Sequence, residues 1–350
     1  MYSIRALPRQ TRQIRTLATA YTYTSPGAPT AVLSREQRQV PQPSDSDLSL
    51  KWLAAGVDPV DLATLSGSPS AAAYAPTALP AVPGNEGVAR VTAAGAEVNG
   101  ISEGDLVIPI KTSLGTWCES SVIDHSHVIP VPKSIRLELA ATLSASPFTA
   151  YRILRDFVTL SPGDVILQNA GSTPVGTAIV QLAKAMGVQT ISLVNTSSAD
   201  YAPTVERLKL MGGDVVIGEP YVSTHGFQQV LSDMPKPSLI INGGDEASCA
   251  TLAALAPEGS TVVTYCPGVV DTAALTSKSC KPTTFSLPDW LEQTDRAQVQ
   301  NMVIDLTNMI ESGQLTAWLQ RVKFDQLPAA IQQGGMVNRK LVAVMDAQSS

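Results

Sequence analysis

The sequence predicts an α/β protein with two domains, a mostly β domain followed by a domain built on a parallel sheet. Between residues 48 and 155 the apolar segments are short and separated by Gly and Pro, as in LSLKWLAAGV and GVARVTAAG, which is typical of a barrel-like β domain. After residues 161–164 (SPGD), β-branched apolar strands alternate with helical stretches. Such strands need a parallel sheet covered by helices on both faces, so the second domain is predicted to be of the Rossmann type.

Composition and charge exclude several classes of function. The chain has 350 residues, 44% of them hydrophobic, which is enough for two ordinary cores. The 24 Lys and Arg against 30 Asp and Glu give a net charge of −6, so the chain lacks the basic excess on which nucleic-acid binding depends. No apolar run approaches the ~20 residues of a membrane-spanning helix. We therefore expect a soluble protein without nucleic-acid or integral membrane association.

The N-terminal segment has the composition of a targeting sequence. The first 20 residues hold four arginines and no acidic residue, and the first acidic residue, Glu36, follows only after a stretch rich in Thr, Ala and Tyr. This pattern predicts a mitochondrial transit peptide over residues 1–20, cleaved between Leu17 and Tyr23, and a disordered basic tail is the alternative. Residues 21–46 are rich in Pro, Ser, Thr and Gln without periodicity, which predicts a linker or extended arm.

The remaining chain divides into three predicted parts. Residues 47–155 form the mostly β domain, and residues 156–295 form the Rossmann-type domain, whose strands are VILQNA, TISLVN, DVVIG, SLIINGG and STVVTY. Its helices are predicted near 175–186, 204–212, 227–234 and 247–256. Residues 296–350 contain two amphipathic helices, near 296–312 and 326–333, and a last strand, RKLVAVM. We expect this segment to return and complete the first domain.

The cysteines and histidines do not indicate a metal site. The four cysteines, at positions 118, 249, 266 and 280, show no C-x-x-C spacing, so neither a disulfide framework nor a zinc cluster is predicted. His125 and His127 alternate along an apparent strand, IDHSHVIPV, and two histidines on one face could hold a metal. Because solvated histidines on strands are far commoner, we predict that the protein holds no metal.

A glycine-containing turn joins the first strand of the second domain to its first helix, in the sequence Asn169-Ala-Gly-Ser-Thr-Pro-Val-Gly176. A tight turn at this junction lets backbone N–H groups and the helix N-terminus approach a pyrophosphate. The turn has only two glycines, and Pro174 removes one donor, although proline is acceptable in a first helical turn. A Rossmann-type domain that binds no nucleotide remains the alternative.

The end of the second strand bears on the choice of dinucleotide. NAD enzymes usually carry an acid there and NADP enzymes a base, but residues 195–198 are Asn-Thr-Ser-Ser. NADPH is favoured because an acid that would repel its 2′-phosphate is missing. Arg207 and Lys209 lie one or two helical turns further on, where they can equally be ordinary surface charges.

Several motifs together resemble one family. LPAVPGNEGVARV, GDLVIPIKTSLGTWCESSV, AATLSASPFTAYRIL and SPGDVILQNAGSTPVG are similar to the mitochondrial trans-2-enoyl thioester reductases, zinc-free members of the medium-chain dehydrogenase/reductase superfamily. The resemblance covers residues 48–350. It implies a GroES-like catalytic domain, a Rossmann domain and a homodimer in the mitochondrial matrix. It also implies reduction of the 2,3 double bond of enoyl-acyl-carrier-protein or enoyl-CoA by NADPH in mitochondrial fatty acid synthesis.

The resemblance also implies the site residues. In the family a catalytic tyrosine donates the proton and stabilises the enolate. Counted forward from residues 58–67 its position holds Pro69, whereas counted backward from residues 84–87 it falls close to Tyr74, for which an incidental loop tyrosine is the alternative. We favour Tyr74, preceded by an insertion. Asn85, Trp117 and Thr149 would form the substrate and nicotinamide pocket, although Trp117 could be a core aromatic and Asn85 and Thr149 could be turn or capping residues. The predicted cofactor-binding residues are Asn169, Ala170, Gly171, Ser172, Thr173, Val175, Gly176, Asn195, Ser197, Asn242, Tyr265 and Lys340.

The chain departs from the family in the wall expected to face the cofactor. Asp245 and Glu246 place two carboxylates beside the expected dinucleotide, where they would repel it if they faced it. These departures leave two alternatives to an active enoyl thioester reductase. One is a non-catalytic relative that serves as an interaction or assembly subunit, and the other is a quinone or alkenal reductase of the same superfamily.

Overall fold

The structure is a computed structural model, and it describes residues 16–197, 200–265, 278–334 and 339–345. Most of the predicted transit peptide, residues 1–15, lies outside these ranges. Among the described residues, no helix is long and apolar enough to cross a lipid bilayer.

The N-terminal part of the described chain is more regular than predicted. Strand β1 (Leu17–Thr22) pairs with β2 (Ser34–Gln39) in an antiparallel hairpin, with the short helix α1 (Pro29–Val32) between them. The prediction that residues 21–46 are a linker or extended arm is therefore wrong, because this stretch contains the end of β1 and all of α1 and β2. The predicted end of the transit peptide at residue 20 also falls inside β1. The reason is that every residue of β1 after Leu17 is buried, among them Tyr21, whose hydroxyl donates to the carbonyl oxygen of Phe324 at 3.0 Å.

The first half of the chain then forms an antiparallel domain. Its elements are β3 (Asp47–Val57), α2 (Pro59–Leu65), β4 (Gly87–Ala94), β5 (Leu106–Pro109), β6 (Ser120–Asp124), β7 (Val128–Val131), α3 (Leu137–Ala140) and α4 (Ser146–Asp156). His125 and His127 lie in a 3-10 turn between β6 and β7, so the prediction that they alternate on one strand is wrong. The described residues contain no group of three or more side chains able to hold a metal ion.

The second half begins with a parallel α/β unit. Its elements are β8 (Val165–Gln168), α5 (Pro174–Ala185), β9 (Gln189–Val194), α6 (Tyr201–Leu210), β10 (Val215–Gly218), α7 (His225–Asp233), β11 (Leu239–Asn242), α8 (Glu246–Leu255), β12 (Thr261–Thr264), β13 (Lys281–Thr284) and α9 (Leu287–Gln293). The six strands are parallel in the order β10-β9-β8-β11-β12-β13. Every residue of β8 and β11 is buried, as expected for central strands covered on both faces.

The C-terminal segment returns to the first sheet. It comprises α10 (Arg296–Glu311), β14 (Leu319–Lys323), α11 (Leu327–Gln332) and β15 (Lys340–Val344). Strand β15 pairs antiparallel with β3, and the sheet runs β14-β15-β3-β4-β5-β7 with β6 also on β3. The predicted fold class, a GroES-like mostly β domain plus a Rossmann domain, is confirmed.

Candidate active site

A cavity of about 490 Å³, here called the tyrosine cavity, lies between the two sheets. Tyr74, Asn85 and Thr149 line it from the first domain, and Thr173 and Tyr265 line it from the second. A cleft between domains is the usual ligand site in two-domain enzymes. The tyrosine cavity therefore unites residues that the sequence assigned to the substrate with residues that it assigned to the dinucleotide.

Tyr74 ends a 3-10 helix, Pro69–Tyr74, that forms part of the cavity wall. The Ser113 hydroxyl donates to the Tyr74 carbonyl oxygen at 2.8 Å, which fixes this end of the helix. Pro69, the other candidate position, is not among the lining residues. Burial, and then the negative charges of Asp58, Asp61, Asp289 and Glu86, raise the pKa of the Tyr74 hydroxyl above its usual value. The hydroxyl is thus held in its protonated form.

Asn85 connects the wall of the cavity to the loop that holds Tyr74. Its side-chain amide donates to Oδ1 of Asp61 at 2.7 Å, and its Oδ1 accepts from the Ser113 backbone N–H at 2.7 Å. Asp61 is fully buried; burial and the adjacent Asp58 raise its pKa to about 7. Because Ser113 in turn holds the Tyr74 backbone, Asn85 positions the tyrosine as well as lining the cavity.

The two other predicted pocket residues behave differently. Thr149, in the first turn of α4, lines the tyrosine cavity and is 9% exposed. Trp117 is fully buried in the core, its Nε1 donates to the Gly56 carbonyl oxygen at 3.1 Å, and it does not line the cavity. The assignment of Trp117 to the pocket is therefore wrong. The glycine at position 84 explains this, because its missing Cβ leaves the space into which the indole packs.

The glycine turn has the geometry of a phosphate-binding turn. Thr173 caps α5: its hydroxyl accepts from the Gly176 N–H at 3.1 Å and donates to the Ala170 carbonyl oxygen at 2.8 Å. A Cβ at Gly176 would lie 2.5 Å from that same oxygen, and one at Gly171 would lie 2.9 Å from Cβ of Ser192. A side chain at either glycine would therefore clash with its neighbours. Thr173 and Val175, next to this turn, lie on the wall of the tyrosine cavity.

Asn169 and Asn242 stabilise the turn from within the sheet. Both are buried, and Nδ2 of Asn169 donates to Oδ1 of Asn242 at 2.7 Å. Oδ1 of Asn169 accepts from the backbone N–H groups of Gly243 and Gly244 at 2.7 and 3.2 Å. Neither asparagine lines the tyrosine cavity; both position the turn, and their contact with the cofactor stays a prediction.

Tyr265 faces the glycine turn across the cavity. Its hydroxyl lies 3.4 Å from that of Thr173, and a Cβ at Gly243 would lie only 2.0 Å from the Tyr265 hydroxyl. By contrast, Asn195 and Ser197 form an exposed turn at the end of β9, in which Oδ1 of Asn195 accepts from the Ser197 N–H at 2.7 Å. These two residues line neither of the cavities described here.

Lys340, which was predicted to bind the cofactor, is a buried cation that is paired within the protein. It is 4% exposed, and its Nζ lies 2.8 Å from Oδ2 of Asp58 and 2.5 Å from Oε1 of Glu86. The two carboxylates outweigh burial and raise the pKa of the Lys340 ammonium. Burial raises the pKa of Glu86 to about 8, although Lys340 opposes the shift. The ammonium is thus neutralised inside the protein, on the wall of a second cavity.

This second cavity, here called the arginine cavity, has a volume of about 240 Å³. Two arginines, Arg207 and Arg339, line it together with Trp318. It shares four lining residues with the tyrosine cavity, so the two adjoin at the glycine turn; the shared residues are Pro59, Ser146, Thr173 and Pro174. Ser172, which was predicted to bind the cofactor, lines the arginine cavity.

Arg207, for which the sequence left open an ordinary surface charge, is a candidate site residue. The alternative of an ordinary surface charge is wrong for this residue, which is 9% exposed, whereas Lys209 is exposed. No helical pattern could have shown this, because Arg207 is covered by Trp318 from the distant C-terminal segment.

The two carboxylates that were expected beside the dinucleotide do not face either cavity. Asp245 and Glu246 are exposed at the start of α8, where Oδ1 of Asp245 accepts from the Ser248 N–H at 2.9 Å as a helix cap. Neither lines the tyrosine or the arginine cavity. The sequence departure at this position is therefore compatible with dinucleotide binding.

Comparisons with known proteins agree with this arrangement. Residues 44–133 match the family model of the alcohol dehydrogenase GroES-like domain. The human mitochondrial enoyl-acyl-carrier-protein reductase is 37% identical over 322 residues, which cover 90% of this chain and 83% of the relative. The chain belongs to this reductase family. The enzyme of the same name from Dictyostelium discoideum is 33% identical and covers 91% of this chain and 92% of its own.

Solved structures share the fold of this reductase family member. A complex of Etr1p with NADP and crotonyl-CoA superposes with a TM-score of 0.83 at 23% identity, covering 94% of this chain and all of that chain. The Escherichia coli quinone oxidoreductase complexed with NADPH superposes with a TM-score of 0.82 at 21% identity, covering 93% and 100%. The predicted membership of the mitochondrial enoyl reductases is thus confirmed at the level of the family.

Proposed function

We propose that this protein reduces the 2,3 double bond of trans-2-enoyl thioesters with NADPH, in mitochondrial fatty acid synthesis. The observation that carries the proposal is the tyrosine cavity, in which the protonated hydroxyl of Tyr74 and the glycine turn share one apolar space. Family membership supports the choice of substrate, because the relatives are named for this reaction.

The residues present fit a dinucleotide. The turn at Gly171 and Gly176 has no space for side chains, α5 begins at this turn, and Val175 and Tyr265 form a wall beside it. Bound there, NADPH supplies the hydride that is added to the β-carbon of the thioester. Thr173 and Gly243 would hold it next to the wall that carries Tyr74.

The protein's own contribution is a proton, its placement and the exclusion of water. Tyr74 would donate a hydrogen bond to the thioester carbonyl oxygen, which becomes negative as the double bond is reduced, and its proton would reach the α-carbon. The hydride added to the β-carbon and the proton added to the α-carbon together convert the double bond into the single bond of the saturated product. Asn85 and Ser113 hold the tyrosine in place, and apolar lining groups such as Leu287 and Leu291 displace water.

The finer features of the proposal follow the family. We infer that the protein acts in the mitochondrial matrix, that the acyl group is carried by acyl-carrier protein or CoA, and that the chain forms a homodimer. The Etr1p/Etr2p heterodimer of Candida tropicalis supports dimer formation on this fold. Size measurement by light scattering on the purified chain tests the dimer directly.

Substitution of the tyrosine tests the function. Tyr74→Phe is expected to lower kcat with NADPH and crotonyl-CoA by about 10²-fold or more, because the proton donor is removed, while the Kd for NADPH stays unchanged. Tyr221→Phe, at a half-exposed tyrosine, is the matched control and should keep wild-type activity. The measurement is the fall in NADPH absorbance, with a quinone lacking the thioester as a parallel substrate. Wild-type reduction of the quinone but not of crotonyl-CoA would refute the proposal.

A further inference from the structure

The arginine cavity contains a buried cation that the described protein leaves without a hydrogen-bond partner. Arg207 is 9% exposed, and none of its three guanidinium nitrogens has a hydrogen-bond partner within the described ranges. Buried arginines normally make several hydrogen bonds, because five N–H donors lose water on burial. An unsatisfied group of this kind indicates a missing acceptor.

The surroundings of Arg207 add positive charge instead of removing it. Its guanidinium carbon lies 3.5 Å from the centre of the Trp318 ring, and that of Arg339 lies 4.7 Å from the same centre. Burial, and then the charge of Arg339, lower the pKa of Arg207 to about 10, and Asp200 acts weakly in the opposite direction. Arg207 therefore stays charged at neutral pH, and the two guanidinium groups lie around a single aromatic ring.

The position of the arginine cavity relates this charge to the proposed reaction. Its wall includes Ser172 and Thr173 of the glycine turn, so it opens beside the N-terminus of α5. It adjoins the tyrosine cavity through Thr173 and Pro174. A ligand that lies along the turn could therefore extend an anionic group into it.

The two arginines match the chemistry of a phosphate. A guanidinium presents paired N–H donors that fit phosphate oxygens, and a doubly negative phosphate balances two arginines. The end of β9, where a base for the 2′-phosphate usually stands, has only the uncharged residues Asn195, Thr196 and Ser197, and Oδ1 of Asn195 accepts a hydrogen bond within its own turn.

We propose that the arginine cavity binds a phosphate monoester of the reductase's own ligands through Arg207 and Arg339. The inference rests on the proposed function for the identity of those ligands. The lack of a base after β9 favours the 2′-phosphate of NADPH, and the other source of the same chemistry is the ribose phosphate of a CoA thioester. In the first case, this chain recognises NADPH from α6 and the C-terminal segment, not from the end of β9.

Calorimetry with nucleotide fragments separates the two sources. The probes are 2′,5′-ADP for NADPH, 3′,5′-ADP for CoA, and 5′-AMP, which carries neither the 2′-phosphate nor the 3′-phosphate. We expect wild-type protein to bind 2′,5′-ADP at least tenfold more tightly than 5′-AMP. Arg207→Met and Arg339→Met should each remove most of that preference, whereas Lys209→Met, which removes an exposed cation from the same helix, should leave it intact.

Each outcome decides the inference. Loss of 2′,5′-ADP binding in Arg207→Met assigns the cavity to NADPH, and loss of 3′,5′-ADP binding assigns it to CoA. Unchanged binding of both by a folded Arg207→Met protein, checked by its melting temperature and with Arg207→Lys as a second variant, overturns it. Reduction of crotonyl-CoA by wild-type protein is measured separately. Turnover without arginine-dependent binding refutes only this inference, and arginine-dependent binding without turnover refutes only the proposed function.

Discussion

Two buried cations on the wall of the arginine cavity differ in how their charge is balanced. Lys340 lies between two carboxylates at 2.8 and 2.5 Å, whereas Arg207 has no hydrogen-bond partner among the described residues and a second arginine nearby. Removing an ion from water costs several kcal/mol unless paired groups compensate. The comparison teaches that equal burial can mean opposite roles: Lys340 holds the first domain together, and Arg207 is prepared for a ligand.

The largest expected effect is on the paired cation. Lys340→Met leaves the buried Glu86 and the partly buried Asp58 without the ammonium that they share, so the free energy of unfolding should fall by about 3–5 kcal/mol. Urea denaturation monitored by circular dichroism measures it. Lys323→Met, at an exposed lysine, is the control and should change stability by less than about 0.5 kcal/mol. A loss below 1 kcal/mol in Lys340→Met would mean that the two carboxyl groups do not need the lysine.

The second effect is a pH dependence that originates at Glu86. Its pKa is raised to about 8 in the folded protein from an ordinary 4.5, so between these values the folded state holds a proton that the unfolded state has lost. The stabilisation is complete below pH 4.5 and disappears as the pH rises to about 8, by up to about 1.4 kcal/mol per pH unit.

Glu86→Gln tests this pH dependence because glutamine keeps an oxygen for Lys340 but does not titrate. Its free energy of unfolding should depend less steeply on pH than that of the wild type between pH 5 and about 8. Glu97→Gln, at an exposed glutamate, should keep the wild-type slope. Identical slopes for all three proteins would show that Glu86 is ionised throughout this range.

The smallest effect is expected at the unpaired cation. Arg207→Met loses a contact with Trp318 but also removes three buried nitrogen atoms that have no hydrogen-bond partner among the described residues. The free energy of unfolding without ligand should therefore stay within about 1 kcal/mol of wild type. The same urea titration applies, and the contrast with Lys340→Met is the informative quantity. A fall of about 3 kcal/mol or more in the free energy of unfolding would show that Arg207, like Lys340, stabilises the fold.

The sequence predicted the elements better than the side chains between them. The strands and helices of the second domain could be predicted because burial gives their sequences a regular spacing of apolar residues and many β-branched side chains. The glycine turn could be recognised from its position between a strand and a helix, and the resemblance to the family pointed to Tyr74. Strand β13 (KPTT) was missed, since it is a mostly exposed edge strand. The burial of Arg207, the pairing of Lys340 and the core position of Trp117 depend on residues more than 60 positions away, and no local pattern contains them.

The return of the C-terminal strand to the first sheet determines the order in which the chain can complete its folding. The six parallel strands lie consecutively between Val165 and Thr284, so the chain that forms them is available before the last 60 or so residues emerge from the ribosome or a membrane pore. The sheet that begins at Asp47 must wait for Lys340–Val344 to pair with β3. The domain that comes first in the chain is therefore the last to close. Until then residues 54–57 of β3 have no strand on that side, and an unpaired strand edge of this kind can pair with another chain and aggregate.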